Sequence, residues 1–135
     1  MPRPSLWLIR TALLNLAAGF TFGALLLFHK GVPISQDLWR LLPAHIEFML
    51  IGWTMQFVMG VAFWILPRFI HGLPRGNERP LWIAYALLNA GVLTVGLGPV
   101  VGIPAALLLA GRVGELAATA IFATQMWPRV KALGL

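Results

Sequence analysis

The segment from Leu42 to Phe69, LPAHIEFMLIGWTMQFVMGVAFWILPRF, is an apolar run that carries an imidazole, His45, one turn inside its start. Crossing the ~30 Å hydrocarbon core of a bilayer takes about 20 apolar residues in a helix. This run is long enough, and a titratable side chain inside it is costly to keep, so His45 is a functional candidate.

The rest of the composition puts the chain in the same solvent. Of 135 residues, 59% are hydrophobic and only 10% are charged. A soluble domain of this size could not hide that much apolar surface, because small folds leave much of their surface in contact with solvent. The absence of cysteine excludes disulfides, thiolate metal sites, iron–sulfur clusters and covalent c-type heme. The formal charge of +6 is not a nucleic-acid signature, since the basic residues lie between hydrophobic runs rather than along a stripe.

Four apolar runs are separable: Leu6 to Phe28, Pro43 to Leu66, Pro80 to Gly98 and Ile103 to Met126. The first lacks a signal-cleavage pattern and is expected to be a permanent helix. Pro43 and Pro80 suit helix starts, and Trp7, Trp64, Trp82 and Trp127 sit near run ends, where amphipathic rings prefer the interface. SQDLWRLL reads as a short surface helix before the second run, and GPVVG reads as a tight turn joining the last two. The expected fold is a single all-α domain over residues 1–135, a polytopic membrane four-helix bundle. Arg3, Arg10, Arg68, Arg75, Arg79, Arg129 and Lys131 fall on one side, against Lys30 and Arg40 on the other. The positive-inside rule then places both termini in the cytoplasm of a multi-pass protein of the cell inner membrane, with His29 and His45 on the outer side and His71 on the cytoplasmic side. His71, beside the Arg68, Arg75 and Arg79 group, reads as a plain loop histidine.

On the second run, His45, Met49, Gly52, Gln56, Gly60 and Phe63 recur at helical spacing and share one face. Spacing alone reads this as a helix-packing face with a hydrogen-bonded histidine, because small residues let helices approach closely. His45-x-x-x-Met49, the small Gly52 and Gly60, and the closing Leu66-Pro67 also resemble the second transmembrane helix of the heme-copper oxidase catalytic subunit, including its nitric oxide reductase branch. In that superfamily the corresponding histidine is an axial ligand of the low-spin heme near the outer side of the membrane. The resemblance implies a heme b ligated by His45. Read from the residues, Met49, Gly52, Gln56 and Gly60 on the same face could pack against such a ring, while on the fourth run Arg112 could anchor a heme propionate and Glu115 could relay protons or bind a quinone. The resemblance stops there: the family has many more spans and further histidines for copper and a second heme, whereas this chain has three histidines in all. No copper is expected.

Three options stand for the other side of the iron. His29 ends the first run on the same side, a second protomer could contribute its own His45, or the position could stay open to NO, O2 or CO. The fourth run contains AGRVGELAA, which places Arg112 and Glu115 about midway across and at i, i+3, where they can pair. Such a buried pair fixes bundle register as readily as it serves function. Asn15, Gln56 and Asn89 could extend it into a polar network, and Glu47 is expected at the water interface. No nucleophile–base pair, phosphate loop or zinc spacing points to an enzyme. The expectation is an integral membrane b-type heme protein for electron transfer or diatomic gas binding, acting as a homo-oligomer among membrane lipids. The alternative is a non-catalytic subunit or assembly partner of a respiratory membrane complex. A transporter using Arg112 and Glu115 is a weaker reading, because no inverted repeat is visible.

Overall fold

The computed structural model describes residues 1–69, 72 and 75–130, so the expectations for His71 and Lys131 fall outside the described residues. Among the described residues the chain is all-helical. Helix α1 spans Arg3–Gly31, and a 3₁₀ turn, Gln36–Arg40, takes the place of the expected surface helix. The Ser35 hydroxyl caps that turn by accepting from the Asp37 N–H at 3.3 Å.

The second span is continuous but not uniform: α2 over Leu41–Glu47, a π-helical stretch over Phe48–Met55, and α3 over Gln56–Ile65. Helix α4 follows over Arg79–Val101 and α5 over Ala105–Met126. Four helical segments are long and apolar enough to cross a membrane: Arg3–Gly31, Gln36–Ile65, Arg79–Val101 and Ala105–Arg129. Large apolar side chains face outward on each of them, for example Leu14, Leu27, Leu50, Leu93 and Leu116, as lipid as solvent requires.

Helix α4 runs three residues past the expected end at Gly98 and contains Pro99. A proline removes one backbone donor, and that loss is small in a last turn where the ladder is already ending. The actual stop is Gly102, whose φ of 75° is left-handed and whose N–H donates to the Gly98 carbonyl at 2.8 Å.

Successive spans are antiparallel, so one end of the bundle holds His29, His45 and the α4–α5 turn, and the other holds both described termini. The main apolar core lies toward the terminal end. Leu8, Met59, Phe63, Leu81, Ala84, Leu88, Ala118 and Met126 form one buried cluster drawn from all four spans.

Candidate functional site

His45 stands on α2 and turns toward α1. Its Nδ1 lies 2.8 Å from the carbonyl oxygen of Gly19. A carbonyl can only accept, so Nδ1 must donate, and in the neutral ring the lone pair is then on Nε2. The ring rests on bare backbone: a Cβ at Gly23 would lie 2.7 Å from its Cε1 and 2.9 Å from its Nδ1. A side chain on α1 at that position would displace the imidazole, so glycine at 23 is what lets the bond to Gly19 form.

Beside the ring is an open cavity of about 450 Å³, walled by Phe20, Ala24, Leu26 and Leu27 of α1 together with Trp39, Leu42 and His45. Lys30 borders it where α1 ends and supplies a cationic rim. The walls are otherwise apolar. Nε2 has no protein partner among the described residues.

The other residues expected around a cofactor occupy a different environment. Met49 packs on Gly19, where a Cβ would meet its sulfur at 2.7 Å, and Gly52 receives the Asn15 side chain. Gly60 faces Leu8 and Ile9. The Asn15 amide donates to the Gly52 carbonyl at 3.0 Å and to Gln56 Oε1 at 3.2 Å. The face His45, Met49, Gly52, Gln56, Gly60 is therefore the seam between α1 and the second span. Phe63 continues it into the apolar core. Small residues admit the nearest partner able to fill them, and here that partner is a neighboring helix. Of this face, His45 is the residue that borders the cavity.

The Asn15–Gly52 bond falls within the π-helical stretch. There a wider turn offers carbonyls to neighbors, and the Thr54 hydroxyl donates to the Met49 carbonyl at 2.9 Å.

His29 is built in the opposite sense. Its Nδ1 accepts the Ile34 N–H at 3.0 Å, and its ring stands edge-on to Trp39 at 5.9 Å between centroids. An accepting Nδ1 leaves the proton of the neutral ring on Nε2. With that bond in place neither nitrogen offers a lone pair, so His29 closes the loop after α1 and does not meet the requirement for a second iron donor.

Arg112 and Glu115 are in contact: Arg112 Nη1 lies 2.9 Å from Glu115 Oε2. The same nitrogen lies 2.7 Å from Glu47 Oε2. The expectation of an interfacial Glu47 is corrected, because the residue is only 2% exposed. Its position two residues from His45 turns it to the opposite side of α2, which faces α4 and α5 rather than water. Helix α4 makes room with glycines. A Cβ at Gly91 would stand 2.5 Å from Glu115 Cγ, and one at Gly96 would stand 2.8 Å from the Phe48 ring and 3.4 Å from Glu47 Cβ. Both carboxylates keep one oxygen, Oε1, buried and without a partner among the described residues. Arg112 lies two turns from the start of α5, on the histidine-end side of the middle of the span. Engaged with both acids, it is absent from the walls of the His45 cavity, so the propionate role expected for it has no support in its position. Asn89 donates to the Tyr85 carbonyl of its own helix at 2.8 Å and does not join this group.

Arg129, which sequence reasoning counted only as a topology charge, is 2% exposed. It donates from Nη2 to the carbonyls of Leu66 at 2.7 Å and Phe63 at 3.0 Å, and from Nε to that of Pro67 at 3.0 Å. Its guanidinium also lies 4.9 Å from the center of the Phe63 ring. These are the carbonyls left unpaired where α3 ends at Ile65. The available signal was the Leu66-Pro67 stop, which guarantees orphan acceptors in an apolar setting.

No group of three or more His, Cys, Asp or Glu side chains able to hold a metal ion occurs among the described residues. Compared with known protein families, curated proteins and solved structures, the chain matches none.

Proposed function

We propose that this chain is an integral membrane b-type heme protein in which His45 supplies an axial ligand, serving electron transfer or the binding of a diatomic gas. The observation that carries the reading is the His45 Nδ1 bond to the Gly19 carbonyl beside an apolar cavity. A ligating imidazole needs its second nitrogen held by an acceptor, which fixes the tautomer, aims the ring and raises the basicity of the other nitrogen. His45 has this arrangement before any metal arrives. The cavity is within the ~300–1,000 Å³ of ordinary cofactor and ligand pockets. Its walls suit a porphyrin, and Lys30 at the rim suits a propionate. A heme held there supplies a one-electron couple or an iron able to bind a small gas. The chain itself orients the imidazole, keeps water from the inner wall and places a cation at the edge.

In this reading the termini are cytoplasmic and the His45 end faces outward from the cell inner membrane. The resemblance of the His45 helix to that of the heme-copper oxidase superfamily, where the equivalent histidine lies near the outer side, supports both assignments. The test is the absorption spectrum of protein purified from heme-replete cells. A Soret band that His45→Ala abolishes is the expected result, while a colorless preparation that stays colorless on reconstitution overturns the proposal.

A second reading, a subunit of a larger membrane complex, is favored by Arg112. Its side chain is 53% exposed within a span where bare lipid is a poor neighbor for a guanidinium. Co-purification of larger membrane subunits with a colorless chain would select that reading.

A further inference from the structure

We infer that the His45 site is completed by a second copy of this chain, whose own His45 takes the opposite axial position on a heme shared across a two-fold axis. The inference rests on the heme reading above and adds to it the identity of the second ligand and the oligomeric state.

The first support is a donor inventory at this end of the bundle. His29 has its Nδ1 lone pair committed to the Ile34 N–H. The Met49 sulfur is wedged against the backbone at Gly19. Glu47 points to the far side of α2 and is held by Arg112. Among the described residues, no histidine or methionine of the same chain is free to approach the iron from the side opposite His45.

The second support is the form of the cavity. It has walls on α1 and at the start of the second span, and faces open surroundings elsewhere. A planar macrocycle on His45 would have one face on the chain and the other uncovered. The lip is exposed and apolar, with Phe20 62%, Leu27 72% and Leu42 41% exposed. Between these bulky residues sits exposed Ala24 next to Gly23, a low point where a second helix could come close.

The third support is symmetry. A self-complementary contact about a two-fold axis is the commonest way for identical chains to pair. Here a two-fold axis through the cavity mouth turns one lone pair into two that face each other. The same pairing covers the open face and buries both lips. One surface therefore answers both the missing ligand and the uncovered wall.

The experiment is a heme titration of the purified full chain in nanodiscs of defined lipid, read by stoichiometry, spin state and mass. The expected result is one heme per two chains, a six-coordinate low-spin spectrum indifferent to carbon monoxide, and a dimer that dissociates when heme is removed. Pairing wild type with His45→Ala under two different affinity tags should give heterodimers with a five-coordinate, carbon monoxide-binding heme, which free imidazole returns to low spin. One heme per chain overturns the shared site yet leaves His45 ligation standing. A low-spin spectrum that persists in the heterodimer, or that Lys30→Met alone abolishes, also overturns it. Absence of heme under every condition overturns this inference together with the reading beneath it.

Discussion

The two ends of the bundle are made of the same kind of helix and solve opposite problems. At the terminal end, aliphatic and aromatic side chains from all four spans close on one another, and Arg129 seals the frayed carbonyls of α3. At the histidine end the contacts pass through glycines, a shared guanidinium and a histidine–carbonyl bond, with an open cavity beside them. Close packing holds the first end together in any conformation of its surface. The second depends on each polar partner being present, because an unpaired polar group in lipid costs several times what a lost apolar contact costs. Apolar packing is thus concentrated at one end, and paired polar contacts beside an open cavity at the other.

The largest effect expected on this division is from Arg112→Met. It leaves Glu47 and Glu115 side by side, both buried and without their cation, which should lower stability by about 3–5 kcal/mol. Unfolding in mixed detergent micelles would measure it. The triple variant Arg112→Met, Glu47→Gln, Glu115→Gln should recover most of the loss, because then no charge is left uncompensated. If the single variant were neutral, the polar group would be ornament rather than a joint between α2 and α5.

Leu88→Ala at the other end removes a fully buried side chain from the main core and should cost about 2–5 kcal/mol. Its signature is different. Protein that remains folded should bind heme with an unchanged spectrum, because Leu88 belongs to the apolar cluster and not to the cavity walls. A spectral change on Leu88→Ala would mean that the two ends are coupled and that the division of labor is false.

A smaller, local effect is expected from Gly23→Ala. The added methyl would overlap the His45 ring, so the imidazole must swing and the Gly19 bond must stretch. Overpacking of this kind costs about 1–3 kcal/mol, and here it falls on the His45 ring rather than on the main core. Heme affinity should fall by at least ten-fold, which corresponds to about 1.4 kcal/mol, with little change in the unfolding midpoint. Equal losses in both would place Gly23 in the fold's foundation instead.

How much of this was legible in the chain follows the same division. The four spans could be read from runs of apolar residues, because a bilayer demands length and hydropathy and little else. The helical spacing of His45, Met49, Gly52, Gln56 and Gly60 also identified a real face. What spacing could not say was which surface fills it: a Gly accepts a helix or a cofactor equally well, and α1 occupies it. Glu47 was misplaced for a related reason. Its distance from the run's start suggested an interface, but its environment is set by α5, far away in sequence, through glycines on α4 that carry no sign of their partner. Arg129 looked like one of several basic residues flanking a span. Only the end of α3 against the chain's last described turn reveals that it is enclosed.

The smallest effect separates the two histidines, which lie on the same end and differ in one respect. His45 Nδ1 faces a carbonyl and must donate, whereas His29 Nδ1 faces an N–H and must accept. His29→Ala therefore removes one hydrogen bond from the loop after α1 and should cost about 0.5–1.5 kcal/mol. Heme content and spin state should not change, because the ring it removes has no lone pair to give. His29→Asn, whose side-chain oxygen can accept the Ile34 N–H, should restore part of the lost stability. If instead His29→Ala converted a six-coordinate heme to a five-coordinate one, the loop would have to reopen on binding, and the second ligand would come from the same chain rather than from a partner.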